Sequence, residues 1–258
     1  MTDNIDQSNP VATPAARIEL VDMALRQTVM SFCAPLWWES ARRVVVRSGT
    51  MCVIRTPQAI IGITNDHVLT SYEKHKRETT DVFCQLGSAP FDPSANVIER
   101  SKRWDLATFS IPALTLEHWG HRIYEAISWP PPPIAIGEHV VFGGWPEDRR
   151  TVAPGLFPAT MTTDFVTLRQ QPHGSSPEHV SFHFDPSQVR WLPNVEVPLP
   201  VDATLSGISG GPCFRIAASE NRIELAGVIY EGDYSRGVVW ARHLSLISAS
   251  GQISLTPV

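Results

Sequence analysis

From Arg42 onward the apolar residues fall into short runs, each bounded by Gly, Pro, Asn or Asp. The runs RRVVVRSGTMCVIR, QAIIGITNDHVL, DVFCQLG, NVIERS and DLATFSI fill the first half, with Thr56-Pro57-Gln58 as a hairpin turn between the first two. The second half resumes with IAIGEHVVFGGWP, VTLRQQ, HVSFHF, GGPCFRI, IELAGVIYEG and GVVWARHL. Many short strands without helices between them predict an all-β chain built as antiparallel barrels or sandwiches. Only IELVDMALRQTVMSF (18–32) has apolar residues near helical spacing, which predicts a helix in an N-terminal extension over 17–41. Residues 1–16 read as a disordered tail. Pro130 to Pro133 can be neither helix nor central strand and read as a linker over 130–134, between a first half at 42–129 and a second at 135–258.

Composition narrows the functional classes. The chain has 258 residues, 43% hydrophobic and 18% charged, enough for one large or two small all-β domains with a stable core. A net charge of −5 with no dense Lys/Arg run argues against nucleic acid as principal partner. The polar N-terminus lacks the pattern of a secretory signal, and no apolar run approaches membrane-spanning length. These features predict a soluble cytoplasmic protein with no membrane partner. Cys33, Cys52, Cys84 and Cys213 are widely spaced without a CxxC pair, so buried thiols are expected rather than disulfides or zinc ligands. His118 with His121, and His179 with His183, have metal-compatible spacing but no carboxylate or cysteine to complete a site, and no cofactor is expected. Eight tryptophans, including Trp37-Trp38, read as core packing.

Candidate chemistry centres on Gly207-Ile208-Ser209-Gly210-Gly211-Pro212. A serine between glycines on a tight turn is a candidate nucleophile, and the Gly207 and Ser209 amides are candidate oxyanion donors. His67, after an apolar strand, and Asp105, before an alternating one, complete a His, Asp, Ser order. Alone, each is an ordinary surface histidine or turn aspartate; the conjunction carries the reading.

ITNDHVL resembles the T-x-x-H box of trypsin- or chymotrypsin-like serine proteases, DLATFSI their Asp-Leu-Ala strand, and GISGGP their nucleophile loop. IGEHVVFGGWP is similar to the strand opening the second barrel in bacterial members, and LAGVIYEG and GVVWARHL to the substrate-binding strands. The resemblance, to a bacterial, intracellular trypsin-like peptidase domain, runs from about Ser48 to Leu246. It implies two antiparallel six-stranded barrels, a His67, Asp105, Ser209 triad, a protein or peptide substrate, and control by a partner protein or by substrate access. It also places Ala203, with Thr204 beside it, at the base of the primary pocket and Gly232 and Gly237 on its walls, and counts Tyr230 and Glu231 among the substrate-binding residues; an uncharged base argues against cleavage after Lys or Arg.

The departures from the pattern carry expectations of their own. Ile208 replaces an aspartate that pairs with a newly cut N-terminus in secreted members, which implies activity without such a cut. Val68 stands where those enzymes have a disulfide cysteine, Asp66 adds a carboxylate beside the base, Tyr230 replaces a serine supporting the aspartate, and Glu231 replaces an apolar cleft wall. Two rival classes remain: a catalytically silent binding or scaffold module of the same fold, and an α/β-hydrolase esterase using G-x-S-x-G with Asp233 and His243. The esterase reading fits poorly, because Pro212 and the β-like CFRI follow the serine where a helix is required.

Overall fold

The computed structural model describes residues 14–40, 43–147, 150–152, 161–163, 165–184, 205–217, 222–233 and 236–254. In chain order these form α1 (Pro14–Ser31), β1 (Cys33–Ser40), β2 (Arg43–Arg55), β3 (Ile60–Thr64), α2 (Asp66–Glu78), β4 (Val82–Leu86), β5 (Ala89–Pro90), α3 (Pro93–Asn96), β6 (Val97–Ser101), β7 (Leu106–Ser110), α4 (Ala113–Glu117) and β8 (Tyr124–Glu125). The second half follows with β9 (His139–Gly144), β10 (Arg150–Val152), β11 (Met161–Thr163), β12 (Val166–Gln170), β13 (Pro172–Ser175), β14 (His179–His183), β15 (Pro212–Ala217), β16 (Arg222–Asp233) and β17 (Val238–His243).

The strands divide into two sheets, one from each half of the chain. The first runs β5-β4-β1-β2-β3-β7-β6, with β8 parallel to β2; the second runs β12-β9-β15-β16-β17-β14-β13, and β10 and β11 pair separately. Six strands of the first sheet are of ordinary length, and the two-residue β5 and β8 are short additions to it. In the second sheet the two edges, β12 and β13, are parts of one bent strand interrupted only at Gln171. That sheet therefore curls round until one strand serves both edges, which removes the exposed edge a flat sheet would leave.

Period-2 alternation sorts side chains into three cores rather than one core and a wet face. On β2, Met51 and Val53 join Leu36, Trp38 and Phe109 inside the first sheet, while Cys52 and Ile54 face the second. On β9, Val140 and Phe142 point inward with Phe182 and Val239, and Val141 joins Phe214 and Leu225 in the layer between the sheets. Strands buried on both faces read as continuous apolar runs. α1 contributes Val29 to the central layer, followed by Phe32, and Arg26 donates to the Phe165 carbonyl at 3.1 Å.

Three expectations change in detail. Residues 14–16, read as tail, begin α1, and residues 1–13 lie outside the described residues. The extension over 17–41 is not separate from the first sheet, because Cys33–Ser40 lies between β2 and β4 as one of its strands. Residues 66–69, read as strand, open α2, whose buried Val68, Leu69 and Tyr72 supply only one apolar stripe. The four cysteines are buried and unpaired; Cys33 sits opposite Cys52 across the β1–β2 ladder, and burial pushes the Cys52 thiol up to about 12. Among the described residues no helix is long and apolar enough to cross a membrane, and no cluster of three metal-ligating side chains occurs.

Candidate active site

The first half of the chain supplies a histidine and an aspartate in direct contact. His67 is the second residue of α2, and Asp105 occupies the turn between β6 and β7. The Asp105 carboxylate takes two bonds from this one residue: the His67 amide donates to Oδ1 at 2.9 Å, and the imidazole Nδ1 lies 2.7 Å from Oδ2. A carboxylate at a helix N-terminus is favoured by the free amides and dipole there. An Nδ1–H directed at it leaves Nε2 as the proton-accepting nitrogen, on a ring whose side chain is 51% exposed.

Asp105 holds its place at a cost, since its φ of 50° is left-handed and unfavourable for a residue with a Cβ. Three contacts hold it there. Asn65 Nδ2 donates to the Asp105 carbonyl at 2.9 Å, Arg242 Nε from β17 donates to the Trp104 carbonyl at 2.7 Å, and Trp104 Nε1 donates to the Ser254 carbonyl at 2.9 Å. The Arg242 cation lies 4.0 Å over the Tyr230 ring and 5.7 Å over the Trp104 ring. Tyr230 thus reaches this region through its ring stack with Arg242. Burial raises its phenol above the ordinary value, against the lowering effect of the Arg242 cation.

Asp66 does not crowd the histidine. Its Oδ1 accepts from Arg100 Nε at 2.6 Å, and the same guanidinium reaches Glu73 at 2.9 Å and the Thr70 hydroxyl at 2.8 Å. Arg100, on β6, therefore fastens the first two turns of α2 to the strand leading to Asp105.

Ser209 arrives from the second half on a loop docked against β2. The Thr50 amide donates to the Ser209 carbonyl at 2.8 Å, and the Thr50 hydroxyl donates to the Gly207 carbonyl at 2.9 Å. Ile208, 3% exposed, sinks into the core inside the second sheet with Leu205, Ile229 and Val239. This apolar anchor occupies the position where the resemblance would put an aspartate. Gly210, at φ 85°, lies so close to the Thr50 carbonyl and the Thr64 hydroxyl that a Cβ would drive into both.

The loop's amides fall into two groups. Ile208, Gly210 and Gly211 donate to the carbonyls of Leu205, Ile229 and Ile208. Among the described residues the amides of Gly207 and Ser209 donate no hydrogen bond. These are the two amides that the sequence reading names as candidate oxyanion donors.

His67, Asp105 and Ser209 line one cleft of about 740 Å³, together with Tyr230, Glu231 and Gly232. Gly237 stands outside the cleft lining, where its carbonyl accepts from the Phe184 amide at 2.7 Å. Ala203 and Thr204 lie outside the described residues, while Leu205 and Ser206 beside them reach the cleft. The esterase pairing is not assembled. Asp233 pairs with Arg236, and buried His243 accepts from the Ile134 amide and bonds the Ser176 carbonyl, so neither lines the cleft. Arg242, Trp104, Arg100 and Thr50 were not singled out from the sequence, because their partners lie 34 to 157 residues away and no local spacing announces them.

Topology and site together define a chymotrypsin-like all-β fold, with a His–Asp pair from one half of the chain and a Gly-flanked serine from the other sharing one cleft. No protein-family model matches the chain, nor does any curated protein sequence. Among solved structures it is similar to the Rv3671c protease of M. tuberculosis in its active form, with 17% identity and a TM-score of 0.47 over 100% of this chain and 96% of that one. It is similar also to Deg5, at 14% identity and a TM-score of 0.46 over 88% and 90%. The catalytically active tobacco etch virus protease complexed with product matches at 12% identity and a TM-score of 0.45 over 84% and 75%.

Proposed function

We propose that the chain is a serine endopeptidase that works through an acyl-enzyme. Ser209 Oγ attacks a peptide carbonyl while His67 Nε2 takes its proton. Asp105 holds the imidazole tautomer and stabilises the imidazolium, and the protonated ring then delivers its proton to the leaving amine. Water repeats the sequence on the ester. The carbonyl oxygen becomes negative at each addition, and the free Gly207 and Ser209 amides are the donors that receive it, each a contribution of roughly 3–4 kcal/mol.

The observation that carries the reading is the 2.7 Å His67–Asp105 contact in the cleft that also holds Ser209, on a loop whose Gly207 and Ser209 amides donate to no described residue. Burial of Ile208 supports a loop that needs no N-terminal cut to take its shape, and four unpaired thiols support work in a reducing cytoplasm. On this reading the substrate is a protein or peptide, and the residue before the scissile bond is small to medium and uncharged, since Ala203 offers a cation no countercharge. A restraining partner protein or limited access of substrate would then set when it cuts.

The test is hydrolysis of a peptide library by intact, unprocessed chain under reducing conditions. Cleavage abolished by Ser209→Ala, with unchanged circular dichroism, is the expected result. Undiminished cleavage by the purified variant would end the assignment, as would a dominant Lys or Arg before the cut for the pocket reading.

A further inference from the structure

The cleft carries cations that the triad does not use. Arg242 commits Nε to the Trp104 carbonyl and its face to the Tyr230 ring, while its two terminal nitrogens donate to no described residue. Lys102, exposed on the turn between β6 and β7, lines the same cleft with no ion pair among the described residues. Arg103 also lines the cleft, its cation stacked 4.3 Å over the Trp104 ring. Among the described residues two carboxylates face this space. Asp105 is engaged by His67, and exposed Glu231 forms no ion pair with Arg242 or Lys102 among the described residues. Lys102 and Arg242 thus bring to the Asp105 side of the cleft cationic donors that no described residue engages.

We propose that Arg242 and Lys102 form a subsite for an acidic side chain, Asp or Glu, of the peptide substrate. The acid lies at a position other than the residue entering the primary pocket beside Leu205 and Ser206. The inference rests on the endopeptidase reading and names the substrate class of that site. A guanidinium presents a planar fork that matches a carboxylate with two parallel bonds. Here the stack on Tyr230 and the bond to Trp104 already fix the plane, so little side-chain freedom remains to be lost on binding. Lys102 adds a second, exposed charge from the turn between β6 and β7.

The test uses full-length chain and matched peptides that differ only by Glu or Gln, placed in turn at each position around the scissile bond. At one position kcat/KM is expected to favour Glu by roughly ten- to a hundredfold, the range of a charge-assisted bond. That ratio should fall with added salt, should drop towards one in Arg242→Gln, and should drop partly in Lys102→Gln. Lys102→Glu should shift preference towards Lys at that position. Each ratio is internal to its variant, so a partly misfolded preparation does not mimic the effect. A ratio near one at every position in the native chain overturns the proposal, as does a ratio that survives both neutral substitutions. Binding of the same pairs to Ser209→Ala protein reads the subsite without hydrolysis. Glu preference in binding without any cleavage would reject the endopeptidase reading alone, whereas absence of preference in binding would reject the subsite.

Discussion

The two halves hold their share of the site by different physics. In the first, the His67–Asp105 pair is held by polar contacts: Asn65 on the Asp105 carbonyl, Arg242 on the Trp104 carbonyl, and Arg100 on Asp66 and Glu73. In the second, the Ser209 loop adds close packing to its backbone bonds with Thr50 and Ile229, with Ile208 sunk in a core and Gly210 pressed against the Thr50 carbonyl. A polar framework can lose one member and relax, because neighbouring donors remain. A loop held by contact has no room for an added atom. The contrast predicts graded effects from substitutions in the first half and abrupt ones in the second.

The largest effect expected is nonetheless chemical. Asp105→Asn keeps the geometry but favours the wrong imidazole tautomer, and should lower kcat by about 10⁴ with little change in thermal stability. A drop smaller than tenfold would show that the 2.7 Å contact does not govern catalysis.

Gly210→Ala probes the second half. The added methyl meets backbone and hydroxyl at a left-handed φ, so a loss of roughly 2–4 kcal/mol is expected by denaturant titration, with cleavage abolished. Near-native stability would mean that the loop yields as the first half does, and the comparison would fail.

Arg100→Ala makes the matching probe of the first half. It leaves Asp66, with a side chain only 7% exposed, without its cation, at a cost of about 2 kcal/mol given that Arg100 itself is 30% exposed. Loosening α2 should lower kcat by a few fold rather than abolish it. Complete inactivity in folded protein would place Arg100 nearer the chemistry than its contacts indicate.

The smallest effect at neutral pH belongs to His243. Burial depresses it to about 4, with both ring nitrogens occupied by Ile134 and Ser176. The unfolded chain takes up this proton near pH 6.5 while the fold refuses it until about 4, so stability falls as pH drops through that window, by at most about 1.4 kcal/mol per unit. His243→Gln should flatten that part of the curve of unfolding free energy against pH. A curve still equally steep would assign the loss to other groups.

How much of this was legible in the sequence follows from the range of each interaction. The apolar runs of β2, β3, β9, β15 and β16 announce strands because both faces are buried, and the glycines around Ser209 announce a tight loop. β1 escaped notice because CAPLWWES carries Pro35 and the buried polar Glu39 and Ser40, so nothing in it alternates. α2 escaped because most of its residues are polar and only one stripe packs. Asp66 looked like a threat to His67 because its partner, Arg100, is 34 residues away. The site's chemistry sat in local motifs; its supports sit on strands that meet only in the folded chain.

The central claim is that Ser209 is activated by His67, and a fluorophosphonate probe reads this directly. With native, unprocessed protein, peptide mapping should find the adduct on Ser209, with no labelling in Ser209→Ala and labelling slowed by orders of magnitude in His67→Ala. An unlabelled Ser209 in folded protein would contradict the account, as would an adduct that forms equally fast without His67.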